Sequence, residues 1–199
     1  MRKDIREIAQ ILEAVLFAAE KPVPVNRLRQ LVPEAKNGDI QEALNLLDGH
    51  YRDHAFTLIR VAGGYQLVTR SEYHDYVRRL FAARSRPRLS HAALETLAVI
   101  AYKQPVSRIE IEAIRGVNSD GVLGTLLERN LIAIKGRAET VGRPLLYGTT
   151  EEFLRYFGLN DLSELPKPEE IEQLLREKEE MKEEIGESES AENTEPDAP

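Results

Sequence analysis

Among side chains able to do chemistry, the histidines come first: His50, His54, His74 and His91 are the four in this 199-residue chain. His50 and His54 stand four apart on a predicted helix, with Asp53 beside them, so both imidazoles fall on one face. A structural or catalytic zinc needs three or four protein ligands, and no further donor group is near in sequence. A metal-dependent hydrolase would rest on these two residues alone, and they read better as the polar end of a helix leading into a strand at Phe56. The chain has no cysteine, hence no thiol nucleophile, disulfide or cysteine-based zinc site. Nucleophile-elbow, EF-hand and zinc-protease patterns are missing. Gly136 to Arg143 contains two glycines but does not lead into a helix, so it reads as a wing and not as a phosphate loop. Glu110 and Glu112 point apart if helical. The expectation is a protein that is not an enzyme and needs no metal or cofactor.

The net charge of −7 conceals a division along the chain. Residues 164–199 carry 14 acids and four bases, while the other 163 residues carry 23 bases and 20 acids. The acidity belongs to a tail, and the body is close to neutral. The start lacks a signal-peptide core and no apolar run approaches the ~18 residues of a membrane span. A cytoplasmic protein is expected.

The elements that would carry these residues follow from periodicity. Apolar residues Ile5, Ile8, Leu12, Val15, Leu16 and Ala19 predict a helix over 4–19, and Ile11, Ala14, Phe17 and Ala18 widen its stripe well beyond one face. Helices over 25–32 and 38–53 follow, the first after Pro22-Val23-Pro24. Two β-prone runs, 56–61 and 65–69, flank Gly63-Gly64 as a hairpin would. A helix over 71–84 presents Tyr73, Tyr76, Val77 and Leu80, and residues 84–88 read as a linker.

Ser90 suits the N-cap of a helix over 91–103, and Pro105 stops it. Ser107 is placed to cap a helix over 107–115 carrying Ile109, Ile111 and Ile114, with Gly116 as its C-cap. Ser119 can cap a helix over 120–130. Strands 131–135 and 145–149 come next, and Thr150 caps a last helix bearing Phe153, Leu154 and Phe157. A weak helix over 169–185 and a disordered end, 186–199, complete the reading.

Both halves run helix, helix, helix, strand, strand, helix, with a weak internal repeat at an offset of 83 residues. That order is the winged helix. The expected fold is mainly α with small β-hairpin wings (α+β), as two tandem winged-helix domains: 1–84, a linker 85–89, 90–163, and an acidic tail 164–199. Winged helices often read DNA through the third helix. Here it carries Asp39, Glu42, Asp48 and Asp53 against Arg52 in the first half, and Asp120 and Glu128 against Arg129 in the second. Phosphates repel such helices, so protein binding is favoured, with a DNA-binding transcriptional regulator as the alternative. The latter would rest on Arg78, Arg79, Arg84, Arg86 and Arg88 near the linker and on Lys135, Arg137 and Arg143 in the second wing.

The stretch Leu89-Ser90-His91-Ala92-Ala93-Leu94-Glu95-Thr96-Leu97-Ala98-Val99-Ile100-Ala101-Tyr102-Lys103-Gln104-Pro105-Val106 resembles the segregation and condensation protein B family, ScpB. So do Arg108 to Val117, the Gly142-Arg143-Pro144-Leu145-Leu146-Tyr147-Gly148-Thr149-Thr150 wing and Phe153 to Leu159. The resemblance implies two winged-helix units without catalytic residues, acting in chromosome condensation and segregation at the nucleoid. It also implies a homodimer that binds the kleisin ScpA and, through it, an SMC ATPase. The basic linker and wing residues would add weak non-specific DNA contact, and no membrane partner is expected. Carried onto this sequence, the dimer surface falls on Ile5, Ile8, Ile11 and Leu12. The ScpA surface falls on Tyr102, Lys103, Gln104, Arg115, Arg137, Arg143 and Tyr147. Two competing structural roles stand beside this: Gln104 as a helix cap, and Arg143-Pro144 as shapers of the wing.

Overall fold

The computed structural model describes residues 3–36, 38–81, 88–167, 169–171 and 173. The described residues up to Leu162 form one compact body, within which each winged-helix half is a unit, and those from Ser163 onward form another body. In the latter, Lys167 N–H donates to the Glu170 carboxylate at 2.9 Å and Ile171 N–H to the Lys167 carbonyl at 3.0 Å, opening a helical turn. The expected helix beyond 173, the disordered end, and Arg84 and Arg86 of the linker lie outside the described residues.

The first half runs α1 (Ile5–Ala18), β1 (Val23–Pro24), α2 (Val25–Leu31), α3 (Asp39–His50), β2 (Phe56–Val61), β3 (Gly64–Thr69) and α4 (His74–Leu80). The second runs α5 (His91–Lys103), β4 (Val106–Ser107), α6 (Arg108–Arg115), α7 (Asp120–Glu128), β5 (Ile132–Arg137), β6 (Leu145–Thr149) and α8 (Glu151–Phe157). Each half is a winged helix with a three-stranded antiparallel sheet, ordered β1-β3-β2 and β4-β6-β5. The additional strands β1 and β4 are two residues long, too short for an alternating pattern to reveal. Both lie at sheet edges, where Pro24 is tolerated because the missing N–H faces no ladder partner.

Caps set the helix starts. Asp4 and Glu7 exchange side-chain and backbone bonds across the first turn of α1, and Ser107 and Glu110 do the same for α6. Ser90 accepts from Ala93 N–H at 3.2 Å, and Thr150 accepts from Phe153 N–H at 3.2 Å. Ser119 does not cap α7. It is buried, its own N–H donates to Glu112 at 3.0 Å, and its hydroxyl accepts from Arg115 at 3.1 Å. The third helix is shorter than 38–53: α3 tightens into a 3-10 turn at Tyr51–Asp53, held by Arg70, whose guanidinium donates to the Tyr51, Arg52 and His54 carbonyls.

The two glycines of the first hairpin do separate jobs. The tight turn is Ala62–Gly63, both at positive φ, +49° and +72°. Gly64 is already in β3, and a Cβ there would meet the Val23 backbone at 2.8 Å, so it lets β1 approach. Ile8, Leu12, Leu16, Leu28, Ile40 and Leu44 fill the first core. Leu97, Ile100, Ile111, Leu126, Leu131 and Phe153 are the buried counterpart in the second half.

Candidate partner-binding surfaces

The expected groove-probing helices do not present cations. On α3, Asp39 is buried and accepts from Lys36 N–H at 2.8 Å, so it organises the preceding turn. The exposed positions are Gln41, Glu42, Asn45, Leu46, Asp48, Gly49 and His50, with no lysine or arginine among them. On α7 the Asp120 carboxylate is bound to Arg108, which holds its carboxyl below the usual range, and Glu128 is exposed. A face of this kind gains nothing from a phosphate backbone. His50 and His54 stack at 5.3 Å beside Tyr51 and Phe56 as part of an aromatic cluster. Among the described residues no three His, Asp or Glu gather as metal ligands.

The seven residues expected to meet ScpA separate into internal and exposed groups. Gln104 is tied into its own unit, its carboxamide oxygen accepting from Thr149 N–H at 2.7 Å and its amide donating to the Ala101 carbonyl at 3.1 Å. Tyr147 is buried in the central strand, between Val106 and Ile134. The Arg115 side chain is 6% exposed and donates to Glu95 at 3.0 Å, and its Nε has no partner. That arginine, with His91, lowers the Glu95 carboxyl. Tyr102 and Lys103 are exposed at the end of α5. Arg137 donates to the Arg143 carbonyl at 3.2 Å, and Arg143 has φ +42°, so both shape the wing while their side chains stay in solvent.

Of the four residues expected at the dimer surface, Ile8 and Leu12 are 0% exposed and belong to the core of their own unit. Ile5 and Ile11 are half-buried against that core. The free apolar surface is elsewhere. Phe17, at the end of α1, is 85% exposed. On α4 no side chain is buried; Tyr76 is 71% and Leu80 77% exposed, with Tyr73 and Phe81 open beside them.

The core positions explain why Phe17 stays open although the sequence groups it with the apolar stripe of α1. Ile8, Leu12 and Leu16 correspond to Ala93, Leu97 and Ala101, two residues out of step with the strand offset, because α1 is followed by a longer loop than α5. Phe17 then corresponds to exposed Tyr102, and not to buried Ile100. The apolar spacing on α4 was visible in the sequence; its lack of a packing partner was not.

The family model described as "Segregation and condensation complex subunit ScpB" matches residues 10–168. The segregation and condensation protein B of Symbiobacterium thermophilum is 52% identical over 163 residues, covering 81% of this chain and 74% of that one. That of Syntrophotalea carbinolica is 46% identical over 180 residues, covering 89% and 90%. The crystal structure of ScpB from Mycobacterium tuberculosis is 36% identical, with a TM-score of 0.38 over 80% of this chain and 99% of that one.

Proposed function

The chain belongs to the ScpB family of segregation and condensation complex subunits, and on that premise we propose that it is a non-enzymatic, dimeric adaptor. In this reading, residues 1–84 join two copies. Residues 90–163 hold the kleisin ScpA and through it an SMC ATPase, with 85–89 as linker and 164–199 as an appended acidic tail. The protein works at the nucleoid in the cytoplasm. No helix among the described residues is long and apolar enough to cross a membrane.

The observation that supports this best is the open apolar face of the first unit. A helix normally contributes to a domain by burying one face, and α4 buries no side chain. Tyr73, Tyr76, Leu80 and Phe81 together with Phe17 are what a second protomer can cover. Aromatic residues are also the type most often found at binding hot spots. Ile5 and Ile11 add only half-exposed edges of α1, and Ile8 and Leu12 lie in the core of the first unit. On the second unit, Tyr102, Lys103, Arg137 and Arg143 offer exposed side chains to ScpA, while Gln104, Arg115 and Tyr147 position the elements that carry them.

Light scattering of the chain alone and mixed with ScpA tests the reading. A dimer that takes up ScpA at a fixed ratio supports it. A monomer at micromolar concentration that leaves ScpA free overturns it. Weak, non-specific DNA contact through exposed Arg78, Arg79 and Arg137 is compatible with this role, and its affinity falls steeply with added salt.

A further inference from the structure

A cleft of about 800 Å3 opens between the tip of the first wing and α7, β5 and α8 of the second. A backbone latch lies beside it. The N–H groups of Ala62 and Gly63 donate to the carbonyls of Leu159 and Asn160 at 2.9 and 3.0 Å, fastening the first hairpin to the segment after α8. Ala62 lines the cleft as well.

The cleft wall gathers backbone irregularities. Among the described residues, Ala62, Asn130 and Arg143 are the non-glycine residues at positive φ, and the first two line this cleft. Lys135, also in the wall, sits at the register shift between Ile134 and Gly136. A bulge of that kind re-aims a side chain. Gly148, paired with Ala133 on the neighbouring strand, lacks the Cβ that would stand 2.8 Å from the Lys135 stem. Unfavourable backbone persists where the surroundings impose it, and such places cluster at ligand-binding sites.

The charges lining the cleft are unevenly matched. Arg155 is paired with Glu152 at 2.8 Å. Lys21, Arg129 and Lys135 line the same cleft without an ion pair among the described residues, against the single remaining carboxylate of Glu151. We propose that this cleft binds an extended, acidic segment of a partner polypeptide. The two glutamates disfavour nucleic acid, whose unbroken run of phosphates would pass them. A peptide can space its carboxylates to meet Lys21, Arg129 and Lys135 and offer backbone N–H groups to Glu151. The site is complete within one protomer, so it does not depend on dimerisation.

Fluorescence anisotropy on the full chain tests this, with a labelled peptide of about a dozen residues alternating Glu or Asp with Ser and Leu. Binding is expected, weakening as salt is raised. The K21E/K135E double variant should lose at least tenfold in affinity while its circular dichroism and melting temperature stay near those of the parent, because both side chains are exposed. K21E alone, remote from the second sheet, should give a smaller loss in the same direction. R29E, on α2 and outside the cleft lining, should bind as the parent does. Undiminished binding by the double variant overturns the proposal. So does equal binding of a neutral peptide of the same length, or displacement of the acidic peptide by duplex DNA at lower concentration.

Discussion

The Gln104 carboxamide oxygen accepts two hydrogen bonds from Thr149, one from its N–H at 2.7 Å and one from its hydroxyl at 3.0 Å. The end of α5 is thereby fastened to the end of β6, and Gly148 makes room for it, since a Cβ there would lie 2.9 Å from the same oxygen. Gln104→Ala leaves a part-buried N–H without an acceptor, which costs about 1–3 kcal/mol. Urea unfolding should show that loss, with Gln104→Glu closer to the parent because it keeps an acceptor. Unchanged stability with abolished ScpA binding would instead make Gln104 an interface residue.

How far the sequence reached can be followed through these same residues. At the Gln104-Pro105 helix end the sequence suits Gln104 both to a cap and to an interface; the bond to Thr149, 45 positions away, follows from neither. Ser90, Ser107, Gly116 and Thr150 were legible because capping is local chemistry confined to one turn. Ser119 was not, because its partners Glu112 and Arg115 reach it from another helix. The strands β2, β3, β5 and β6 were visible in their β-prone runs, whereas β1 and β4 exist only through pairing with Tyr65 and Tyr147. Periodicity placed Ile8, Phe17 and Leu80 on helices. Only packing separates Ile8, sealed in the core, from Phe17 and Leu80, left open.

The open face of α4 gives a second prediction. Tyr76→Glu with Leu80→Glu should convert a dimer to a monomer in light scattering without unfolding it, because neither residue is part of a core. Ile8→Ala should behave in the opposite way, costing about 2–5 kcal/mol of stability as a cavity opens in the first core. If the α4 double variant remains dimeric, the protomers meet elsewhere.

Acid should weaken the second unit more than the first. The Arg115 guanidinium lowers the Glu95 carboxyl, Ser107 lowers that of Glu110, and Arg108 lowers that of Asp120. A carboxyl whose folded pKa lies below its unfolded value adds stability that is present above the unfolded pKa and lost as pH falls through the folded one. The melting temperature should therefore drop as pH is taken from neutral down through the carboxylate range. Glu95→Gln should flatten that slope while lowering stability at neutral pH. A slope identical to the parent's would show that the Arg115–Glu95 pair is not linked to folding.

Arg143 separates a backbone role from a side-chain role. Its φ of +42° lies in the left-handed region, and its N–H donates to the Thr140 carbonyl at 2.9 Å to close the wing. Holding a side-chain-bearing residue there costs roughly 1–2 kcal/mol, which glycine avoids. Arg143→Gly should therefore raise the melting temperature, offset in part by the greater freedom of glycine in the unfolded chain. Arg143→Glu keeps the backbone cost and should leave stability near the parent's while reversing the charge at the wing. If the guanidinium contacts ScpA, both variants lose affinity, the glutamate more, and the more stable glycine variant is also the weaker binder. If it serves only the turn, Arg143→Gly binds ScpA as tightly as the parent. The two measurements, melting and affinity, then move independently, and the side chain drops out of the proposed surface.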